Sequence, residues 1–413
     1  MRTVGIIAEY NPFHNGHLYQ INHIRQKLHA DFVMIAMSGD YVQRGTPALI
    51  SKHARADMAL SCGADLVLEL PVCHSCASAE FFAGGGVQLL DKTGVADTLC
   101  FGAETDNLPV LKEIAAVLEA EPVSYQSALK ENLRAGMSFP AARSLALDSY
   151  FSAKEPQTDA SGEEIRKILK EPNNILGIEY CRALLRENST MIPYSLKRIG
   201  ASFHETELLH GELPSATAIR KAVSRGTLPA PEQGLPAPSY SLLQRAFQEN
   251  SLVFESDFDL LLQYCLLSQD ISSLSQYADV SEHLARRIKN SLNQYEGFSQ
   301  FVSLLKTKEL THSHIQRALL HILLQIREIP PAIPYLRVLG FRRESSALLR
   351  EIKKRTSLPL ITRMADAPSL LSNEWQLKIL DQNTFASNLY ESIVCKKAGR
   401  PFVHEYQKQI VIH

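Results

Sequence analysis

Long apolar runs are missing from this chain of 413 residues. No stretch of the sequence reaches the ~18 consecutive apolar residues that a membrane-spanning helix requires. The N-terminus also lacks a basic segment followed by an apolar core, because the apolar run at 3–8 is too short for a signal peptide. These absences argue against a membrane-spanning protein and predict a cytoplasmic protein that has no membrane partner.

An excess of charge of one sign is nearly absent as well. The 43 Lys and Arg residues stand against 44 Asp and Glu residues, which gives a formal net charge of −1. The chain as a whole therefore lacks the basic character typical of nucleic-acid-binding proteins. Because local patches govern RNA binding more than total charge does, the candidates for RNA contact are the basic clusters at 342–343, 350–355 and 396–400.

Cysteine is infrequent, and the seven cysteines include one Cys-x-x-Cys pair, Cys73 and Cys76. A structural zinc site needs four ligands, and no second cysteine pair accompanies this one. A redox-active pair is the alternative. We interpret Cys73 and Cys76 as buried reduced thiols, which suits the cytoplasm.

The first half of the chain alternates strand-like and helix-like segments. Apolar runs predict strands at 4–9, 32–37, 66–70, 98–101 and 194–199, and periodic stretches predict helices at 18–28, 51–61, 77–93 and 175–185. Alternation of this kind is typical of a parallel sheet with right-handed crossovers. The strands are almost continuously apolar, so we expect helices on both faces of the sheet. The polar segment 152–162 predicts a loop.

The pattern changes after Arg225, where prolines and glycines at 226–238 predict a linker. Beyond this linker, amphipathic helices are predicted at 239–248, 257–267, 281–295, 298–306 and 313–324. A chain of this length is also expected to form two domains. The prediction is an α/β domain at 1–225 followed by a mostly α-helical domain at 226–413.

The segment 11–17, which reads Asn-Pro-Phe-His-Asn-Gly-His, connects the first predicted strand to the first predicted helix. A helix N-terminus offers unpaired N–H groups and the positive end of the helix dipole. His14 and His17 can both face a phosphate there, and Gly16 leaves room for its close approach. An ordinary polar turn and a metal site are the alternatives. The position at the carboxyl end of a parallel strand favours a ligand site.

Two motifs resemble those of the nucleotidyltransferase α/β-phosphodiesterase superfamily. His-x-Gly-His at 14–17 is similar to its first signature, and Ser-Ala-Thr-Ala-Ile-Arg at 215–220 is similar to its second, with Ala216 in place of a serine. Thr217 and Arg220 of the second motif lie three residues apart and so share a helix face. The resemblance implies a Rossmann-like nucleotidyltransferase fold and a reaction in which a nucleoside triphosphate releases pyrophosphate.

Longer blocks resemble the family of bacterial tRNA(Met) cytidine acetate ligases. These blocks lie at 4–20, 37–45, 101–104 and 172–177, with more diffuse similarity at 340–343 and 352–355. The resemblance implies an enzyme that activates acetate with ATP, a co-substrate accompanied by Mg²⁺, to form acetyl-adenylate. It further implies acetylation of N4 of the wobble cytidine, position 34, of elongator tRNA(Met). The implied partners are therefore ATP, acetate and elongator tRNA(Met).

The same resemblance implies which residues form the site. His14, His17 and Arg220 are the implied catalytic residues, and no residues are implied to bind a metal. Hydrogen bonds from the two histidines would hold the triphosphate, and Arg220 would neutralise charge as pyrophosphate leaves. The implied nucleotide-binding residues are Ile7, Ala8, Glu9, Tyr10, Asn11, Pro12, Phe13, His14, Asn15, Gly16, His17, Leu18, Tyr19, Gln20, Gly102, Asn173, Arg198 and Thr217.

Several of these assignments have a plainer alternative. Gly102 can be a turn after a strand, Asn173 a helix cap, and Arg198 a solvated arginine. The charged residues Asp40, Arg44, Lys52 and Arg55 are expected to face the acetate or the tRNA, the alternative being a salt-bridged surface helix. The basic residues at 353–355 are expected to contact tRNA phosphates, although such residues usually form a solvated face.

Two other functions compete with the ligase. A nucleotidyltransferase acting on a small phosphorylated substrate would share both signatures, but it does not need a helical domain of this size. A non-catalytic RNA-binding protein built on the same fold would not need His14, His17 and Arg220 to be intact.

Overall fold

A computed structural model describes residues 1–153, 162–198, 215–230 and 234–413. The strands in these ranges are β1 Thr3–Ala8, β2 Phe32–Ser38, β3 Tyr41–Val42, β4 Thr46–Pro47, β5 Leu66–Leu70, β6 Thr98–Ala103, β7 Ile192–Lys197, β8 Leu336–Phe341, β9 Leu360–Ile361 and β10 Val411–Ile412.

The α-helices in the same ranges are α1 Asn15–Lys27, α2 Lys52–Ser61, α3 Val72–Ser75, α4 Ala79–Asp91, α5 Leu108–Ala120, α6 Val123–Arg134, α7 Phe139–Ala153, α8 Gly162–Ile168, α9 Pro172–Arg186, α10 Ala216–Ser224, α11 Ala237–Gln248, α12 Asp259–Ser268, α13 Ile271–Leu274, α14 Glu282–Ser291, α15 Phe298–Leu305, α16 His312–Leu324, α17 Ser346–Arg355, α18 Ala367–Leu370 and α19 Glu374–Ala398. No helix in the described ranges is both long enough and apolar enough to cross a membrane.

The main sheet has the strand order β10-β8-β5-β2-β1-β6-β7, with β9 beside β8. All of these pairings are parallel except that of β5 with β8. The predicted parallel α/β sheet is confirmed, and the predicted strands match β1, β2, β5, β6 and β7 to within a few residues. Ile199, the last residue predicted for β7, lies outside the described residues. The chain passes from β1 to β2 on one side and reaches β6 on the other, so a crevice opens at the carboxyl ends of β1 and β6.

Both faces of the sheet are buried, as the apolar strands predict. On one face Ile7 and Leu68 pack with residues of α4, α5 and α9. On the other face Ile6, Ile35 and Val67 pack with residues of α1 and α2. Successive side chains of a strand point to opposite faces, so an apolar residue at every position is required here.

The helical segment after Arg225 has its own apolar core, built mainly from α12, α14, α15, α16 and α19. The five predicted helices correspond to α11, α12, α14, α15 and α16 with small shifts at their ends. The sequence prediction missed β8, because Arg337 and Gly340 interrupt its apolar pattern. This strand pairs with β5, and β10 pairs with β8, so the sheet itself continues beyond Arg225. The domain boundary at this point stays a prediction. The loop predicted at 152–162 lies largely outside the described residues.

Buried ion pairs join the two segments across the sheet. The ammonium of Lys52 lies 2.7 Å from a carboxylate oxygen of Glu69 and 2.7 Å from one of Glu405. Arg337 lies 2.5 Å from Glu69 and also pairs with Glu405. All four side chains are at most 3% exposed, so each charge depends on its partners for the solvation that it has lost. Although burial opposes ionisation, the charges of Lys52 and Arg337 lower the pKa of Glu405.

We expect Lys52→Met to reduce the free energy of unfolding by about 3–5 kcal/mol, because it leaves Glu69 and Glu405 short of positive charge inside the protein. Lys378→Met is the matched control. Lys378 also lies 2.7 Å from a carboxylate, that of Glu328, but both side chains are more than 60% exposed, so its loss should have little effect. Denaturant unfolding of both variants measures the difference. Similar midpoints for the two variants would show that the buried pairs do not hold the segments together.

Candidate active site

The carboxyl ends of β1, β6 and β7 border a cavity of about 430 Å³, a size that suits a small ligand. Its described lining residues come from the loop after β1, from α1, from the β3–β4 turn, and from the starts of α4, α9, α10 and α16. The lining residues are Ile7, Ala8, Glu9, Tyr10, Asn11, His14, Gly16, His17, Tyr19, Gln20, Gln43, Arg44, Ala79, Phe82, Phe101, Gly102, Pro172, Asn173, Ile175, Leu176, Tyr180, Leu196, Lys197, Arg198, Ser215, Ala216 and Ser313.

Most of the residues predicted from the sequence are brought together at this cavity. The ones that are not among its lining residues are Pro12, Phe13, Asn15, Leu18, Thr217 and Arg220. Phe13 is fully buried and packs edge-on against Tyr10 with ring centroids 4.7 Å apart, so it supports the site from the core. Nucleotide contact stays a prediction for these six residues and for the predicted residues that line the cavity.

His14 and His17 adopt an arrangement that fixes both rings. Nδ1 of His14 accepts the Gly16 N–H at 3.0 Å, and Nδ1 of His17 accepts the His14 N–H at 3.2 Å. This is a reciprocal N-terminal cap of α1 in which the histidines take the places of the usual Ser and Glu. The rings stack with centroids 3.8 Å apart. Because each Nδ1 is an acceptor, each neutral ring carries its proton on Nε2.

Both histidines are neutral. Burial, followed by the charges of Arg198 and Arg220, lowers the pKa of His14 to about 3. Burial, followed by the proximity of His14 and Arg198, lowers the pKa of His17 well below its usual range. The two rings can therefore offer an anion two Nε2–H hydrogen bonds, but they add no positive charge.

The first N–H groups of α1 are not available to a phosphate, contrary to the sequence prediction. The Asn15 N–H donates to the Gly234 carbonyl at 2.8 Å, the Gly16 N–H to His14, and the His17 N–H to the His14 carbonyl at 2.9 Å. Close approach of a phosphate at Gly16, which lines the cavity, stays a prediction. The structure adds a second constraint, because a Cβ there would lie 2.8 Å from Cε1 of His14. Its lack of a side chain makes room for the His14 ring.

The second motif lies directly behind the loop that carries the histidines. Arg220 donates to the Asn11 carbonyl at 2.7 Å and to the Thr217 hydroxyl at 3.2 Å. The Asn11 side chain in turn accepts the Leu49 N–H at 2.8 Å. In this state Arg220 and Thr217 therefore position the loop, while Ser215, the N-cap of α10, reaches the cavity wall.

The ends of β6 and β7 present Gly102 and Arg198 to the cavity. Gly102 lies within β6 rather than in a turn, opposite Leu196 of β7. A Cβ on Gly102 would lie 3.4 Å from Cγ of Arg198, so the arginine side chain extends over the glycine. Arg198 is exposed, which leaves its guanidinium accessible from the cavity.

Asn173 and Asn174 do not cap α9, since the helix begins at Pro172 and its N-cap is Glu171. The Asn173 amide donates to Glu104 at 2.5 Å, and the Asn174 N–H donates to the other Glu104 oxygen at 2.9 Å. The Asn174 side chain accepts the N–H groups of Glu104 and Thr105. Asn174 thus fixes the loop after β6, while Asn173 lines the cavity.

The charged residues after β2 contradict the prediction that they face a second substrate, with the exception of Arg44. Lys52 and Arg55 are fully buried, and Asp40 is 5% exposed. Arg55 donates to the carbonyls of Glu9 at 2.6 Å, Ser38 at 3.0 Å and Gly39. The prediction failed because charged residues at helical spacing usually indicate a face that solvent or a substrate can reach. Here these charged side chains are buried, and their partners are backbone carbonyls at strand ends and buried carboxylates.

Sequence reasoning missed two groups of lining residues. Phe82, Phe101, Leu176 and Tyr180 form an apolar wall, and on the sequence they are indistinguishable from core residues of α4, β6 and α9. Gln43 lies in the block 37–45 that resembles the ligase family, which was a signal for its place in the site, whereas Lys197 and Ser313 belong to no motif. The position of Lys197 at the end of a predicted parallel strand was the signal available for that residue.

Metal ligation has little support in the described part of the chain. No group of three or more His, Cys, Asp or Glu residues there is arranged to hold a metal ion. The interpretation of Cys73 and Cys76 as buried thiols is confirmed, because both are free and fully buried. Burial raises the pKa of Cys73 to about 12 and that of Cys76 further, so neither is a ready nucleophile.

Comparison with known proteins places this geometry in a class. The family described as HIGH Nucleotidyl Transferase matches residues 1–402. A parallel sheet with paired histidines at the end of its first strand is thus the framework of a HIGH nucleotidyl transferase.

Proteins with similar sequences identify the family within this class. The tRNA(Met) cytidine acetate ligase of Caldanaerobacter subterraneus subsp. tengcongensis is 39% identical over 94% of this chain and 95% of the relative. That of Acetivibrio thermocellus is 37% identical over 97% of this chain and 98% of the relative. The chain belongs to the tRNA(Met) cytidine acetate ligase family.

Solved structures agree with this assignment. Apo TmcAL of Thermotoga maritima matches with a TM-score of 0.92 at 31% identity, covering 100% of this chain and 99% of that chain. TmcAL of the same organism bound with alpha-thio ATP matches with a TM-score of 0.90 at 32% identity and the same coverage.

The low pKa of His14 predicts a loss of stability in acid. In the unfolded chain the His14 imidazole binds a proton near pH 6.5, whereas in the folded protein it does so only near pH 3. The free energy of unfolding therefore falls as the pH falls through this window. Between pH 7.5 and pH 5 the loss due to His14 should be about 2 kcal/mol. In His14→Asn, which keeps a cap acceptor, the loss should be smaller by that amount. Denaturant unfolding at both pH values measures it, and equal losses would contradict a neutral buried His14.

Proposed function

We propose that this protein is an ATP-dependent ligase that converts acetate to acetyl-adenylate and transfers the acetyl group to N4 of the wobble cytidine of elongator tRNA(Met). The observation that carries this proposal is the pair of neutral histidines just after the carboxyl end of β1, in a chain similar over almost its whole length to tRNA(Met) cytidine acetate ligases. A TmcAL structure bound with alpha-thio ATP supports ATP as the nucleotide.

Acetate activation brings two anions together, since an acetate oxygen attacks the α-phosphorus of ATP and pyrophosphate leaves. The enzyme must supply positive charge and hold the reactants in line. The Nε2–H groups of His14 and His17 would orient the phosphates, and the guanidiniums of Arg44 and Arg198 would supply the charge. The start of α10 can add helix N–H groups at the far wall.

The apolar wall suits the adenine ring. Phe101, Leu176 and Tyr180 offer an apolar surface beside Gly102, and the Arg198 side chain that extends over this glycine would lie next to the nucleoside. Mg²⁺ would enter with ATP and be held by phosphate oxygens and water, because the described lining offers no cluster of metal ligands.

We assign tRNA binding to the segment 226–413, with α17 as one contact. The end of this helix presents Lys353, Lys354 and Arg355, and the last two are more than half exposed. Glu351 lies 2.7 Å from Lys354, so part of its charge is already compensated. A tRNA-modifying enzyme of this kind acts in the cytoplasm, which is where we place it.

Incubation with ATP and labelled acetate, with and without tRNA(Met), tests the function. We expect label in the RNA, with AMP and pyrophosphate as the other products, and no label in an RNA whose wobble cytidine is replaced by uridine. Pyrophosphate release that needs a phosphorylated metabolite instead of acetate would favour a nucleotidyltransferase acting on a small molecule. ATP binding without turnover would favour a non-catalytic RNA-binding protein.

Two variants should separate the two steps of the reaction. His17→Ala removes a phosphate donor and should slow acetate-dependent adenylation by about 10²–10³-fold even without tRNA. Neutralising Lys353, Lys354 and Arg355 together should leave adenylation intact, weaken transfer to tRNA, and make the salt dependence of tRNA binding shallower by about two in log–log slope. Unchanged adenylation in His17→Ala, or equal losses of adenylation and transfer in the variant with the three basic residues neutralised, would contradict this division.

A further inference from the structure

Acetyl transfer to cytidine N4 needs a proton acceptor, which the activation step does not. The exocyclic amine is uncharged and poorly nucleophilic, because its lone pair is delocalised into the ring. When N4 attacks the acetyl carbon of acetyl-adenylate, the new C–N bond leaves an excess proton on nitrogen. A positioned base that removes this proton contributes roughly 10²–10⁴-fold to such a step.

Neither histidine can be that base. Each Nδ1 accepts a backbone N–H and each Nε2 carries the ring proton, so neither ring presents a lone pair to the cavity. The tyrosines are unsuitable as well, since burial raises the pKa of Tyr10 and of Tyr180. Apart from Glu9, the remaining ionisable groups in the described lining are the phenol of Tyr19, which offers a hydroxyl rather than an anion, and the cations Arg44, Lys197 and Arg198.

Glu9 is the one carboxylate among the described residues that line the cavity. It follows the last residue of β1 and precedes the loop that carries the histidines. One of its oxygens accepts the Gln43 N–H at 2.9 Å, which fixes the side chain. Its neighbours carry the opposite charge, since Arg44, Arg55 and Arg220 all lie close enough to act on it electrostatically.

Other acidic residues near the cavity are already engaged. Both oxygens of Glu104 accept hydrogen bonds from the start of α9. Asp40 accepts the Lys52 N–H at 2.8 Å and is buried. Asp106 pairs with Lys197 at 3.1 Å on the surface. Only Glu9 combines a place on the cavity wall with an uncommitted carboxylate oxygen among the described residues.

We propose that Glu9 is the catalytic base of acetyl transfer. N4 of the cytidine forms a bond to the acetyl carbon, the bond from that carbon to the adenylate oxygen breaks, and AMP leaves with the electron pair. The N4 proton passes to the Glu9 carboxylate and then to water. This role rests on the proposed ligase function and adds to it the residue that serves the second step.

Glu9→Gln tests the proposal, because its side-chain oxygen can still accept the Gln43 N–H while its basicity is lost. Because Glu9 also lines the cavity that would hold ATP, acetate-dependent exchange of pyrophosphate into ATP is measured for each variant as the reference against which transfer is compared. Transfer to tRNA in a single turnover should fall about 10²–10⁴-fold, and acetyl-adenylate should accumulate on the enzyme. Glu9→Asp keeps a carboxylate and should recover part of the transfer rate.

Glu80→Gln is the matched control, since Glu80 lies on α4 next to a cavity residue but pairs with Arg186 at 3.1 Å, away from the cavity. It should behave like the unmodified protein in both assays. Transfer at the normal rate in Glu9→Gln, or equal losses of exchange and transfer, would overturn the proposal. If Glu9→Gln is destabilised in thermal unfolding, Glu9→Asp is compared with the unmodified protein instead. A larger loss of transfer than of exchange in Glu9→Asp would support the proposal, and equal losses would contradict it. Absence of acetate-dependent exchange in the unmodified protein would instead refute the ligase function itself.

Discussion

The guanidinium of Arg55 holds together the strand ends on which the site is built. It lies in the interior and donates to carbonyls at the ends of β1 and β2, those of Glu9, Ser38 and Gly39. The peptide groups at the end of a parallel strand must find partners once the strand stops pairing, and a buried carbonyl without a donor costs about 1–3 kcal/mol. A single planar group with five donors satisfies several of them at once. The direction in which the chain leaves β1, and hence the position of Glu9 and the histidines, depends on this contact.

The cavity separates hydrogen bonding from charge. His14 is enclosed so closely that an imidazolium would be poorly solvated, and the rings of His14 and His17 each give up one nitrogen to a backbone N–H at the start of α1. What remains is a pair of Nε2–H donors at fixed positions. Positive charge comes from arginines on other elements, such as Arg44 in the β3–β4 turn and Arg198 after β7. Rigid neutral donors can orient a triphosphate without binding its product so tightly that release becomes slow.

The sequence allowed the framework of the fold to be predicted, but not how its charged residues are used. Apolar runs of strand length located five strands of the sheet, because a strand covered on both faces must be apolar at almost every position. The strand β8 was not predicted, because Arg337 and Gly340 interrupt that apolar pattern. Arg337 is tolerated there only because Glu69 and Glu405, remote in sequence, meet it in the interior.

The residues of the site were predictable where they belong to a local motif and not where they depend on partners remote in the sequence. His14, His17 and Gly102 were predictable because they belong to short motifs at strand ends. The close fit of Gly16 to the His14 ring was not, because it depends on where that ring lies in the folded protein. Lys52 and Arg55 were misread since the partners that bury them are backbone carbonyls and distant carboxylates, which leave no pattern in the sequence.

The helical segment takes part in the geometry of the active site through a backbone contact. The β3–β4 turn contains Gly45 with φ of 80°, and a Cβ there would overlap the backbone of Gln316 and Arg317 in α16. The same turn carries Gln43, whose N–H fixes the Glu9 carboxylate. The position of α16 therefore determines where the turn lies, and the turn determines where Glu9 points. The segment to which we assign tRNA binding and the cavity to which we assign acetate activation are in this way connected through the backbone of α16, which fixes their relative position as the proposed two-step reaction requires.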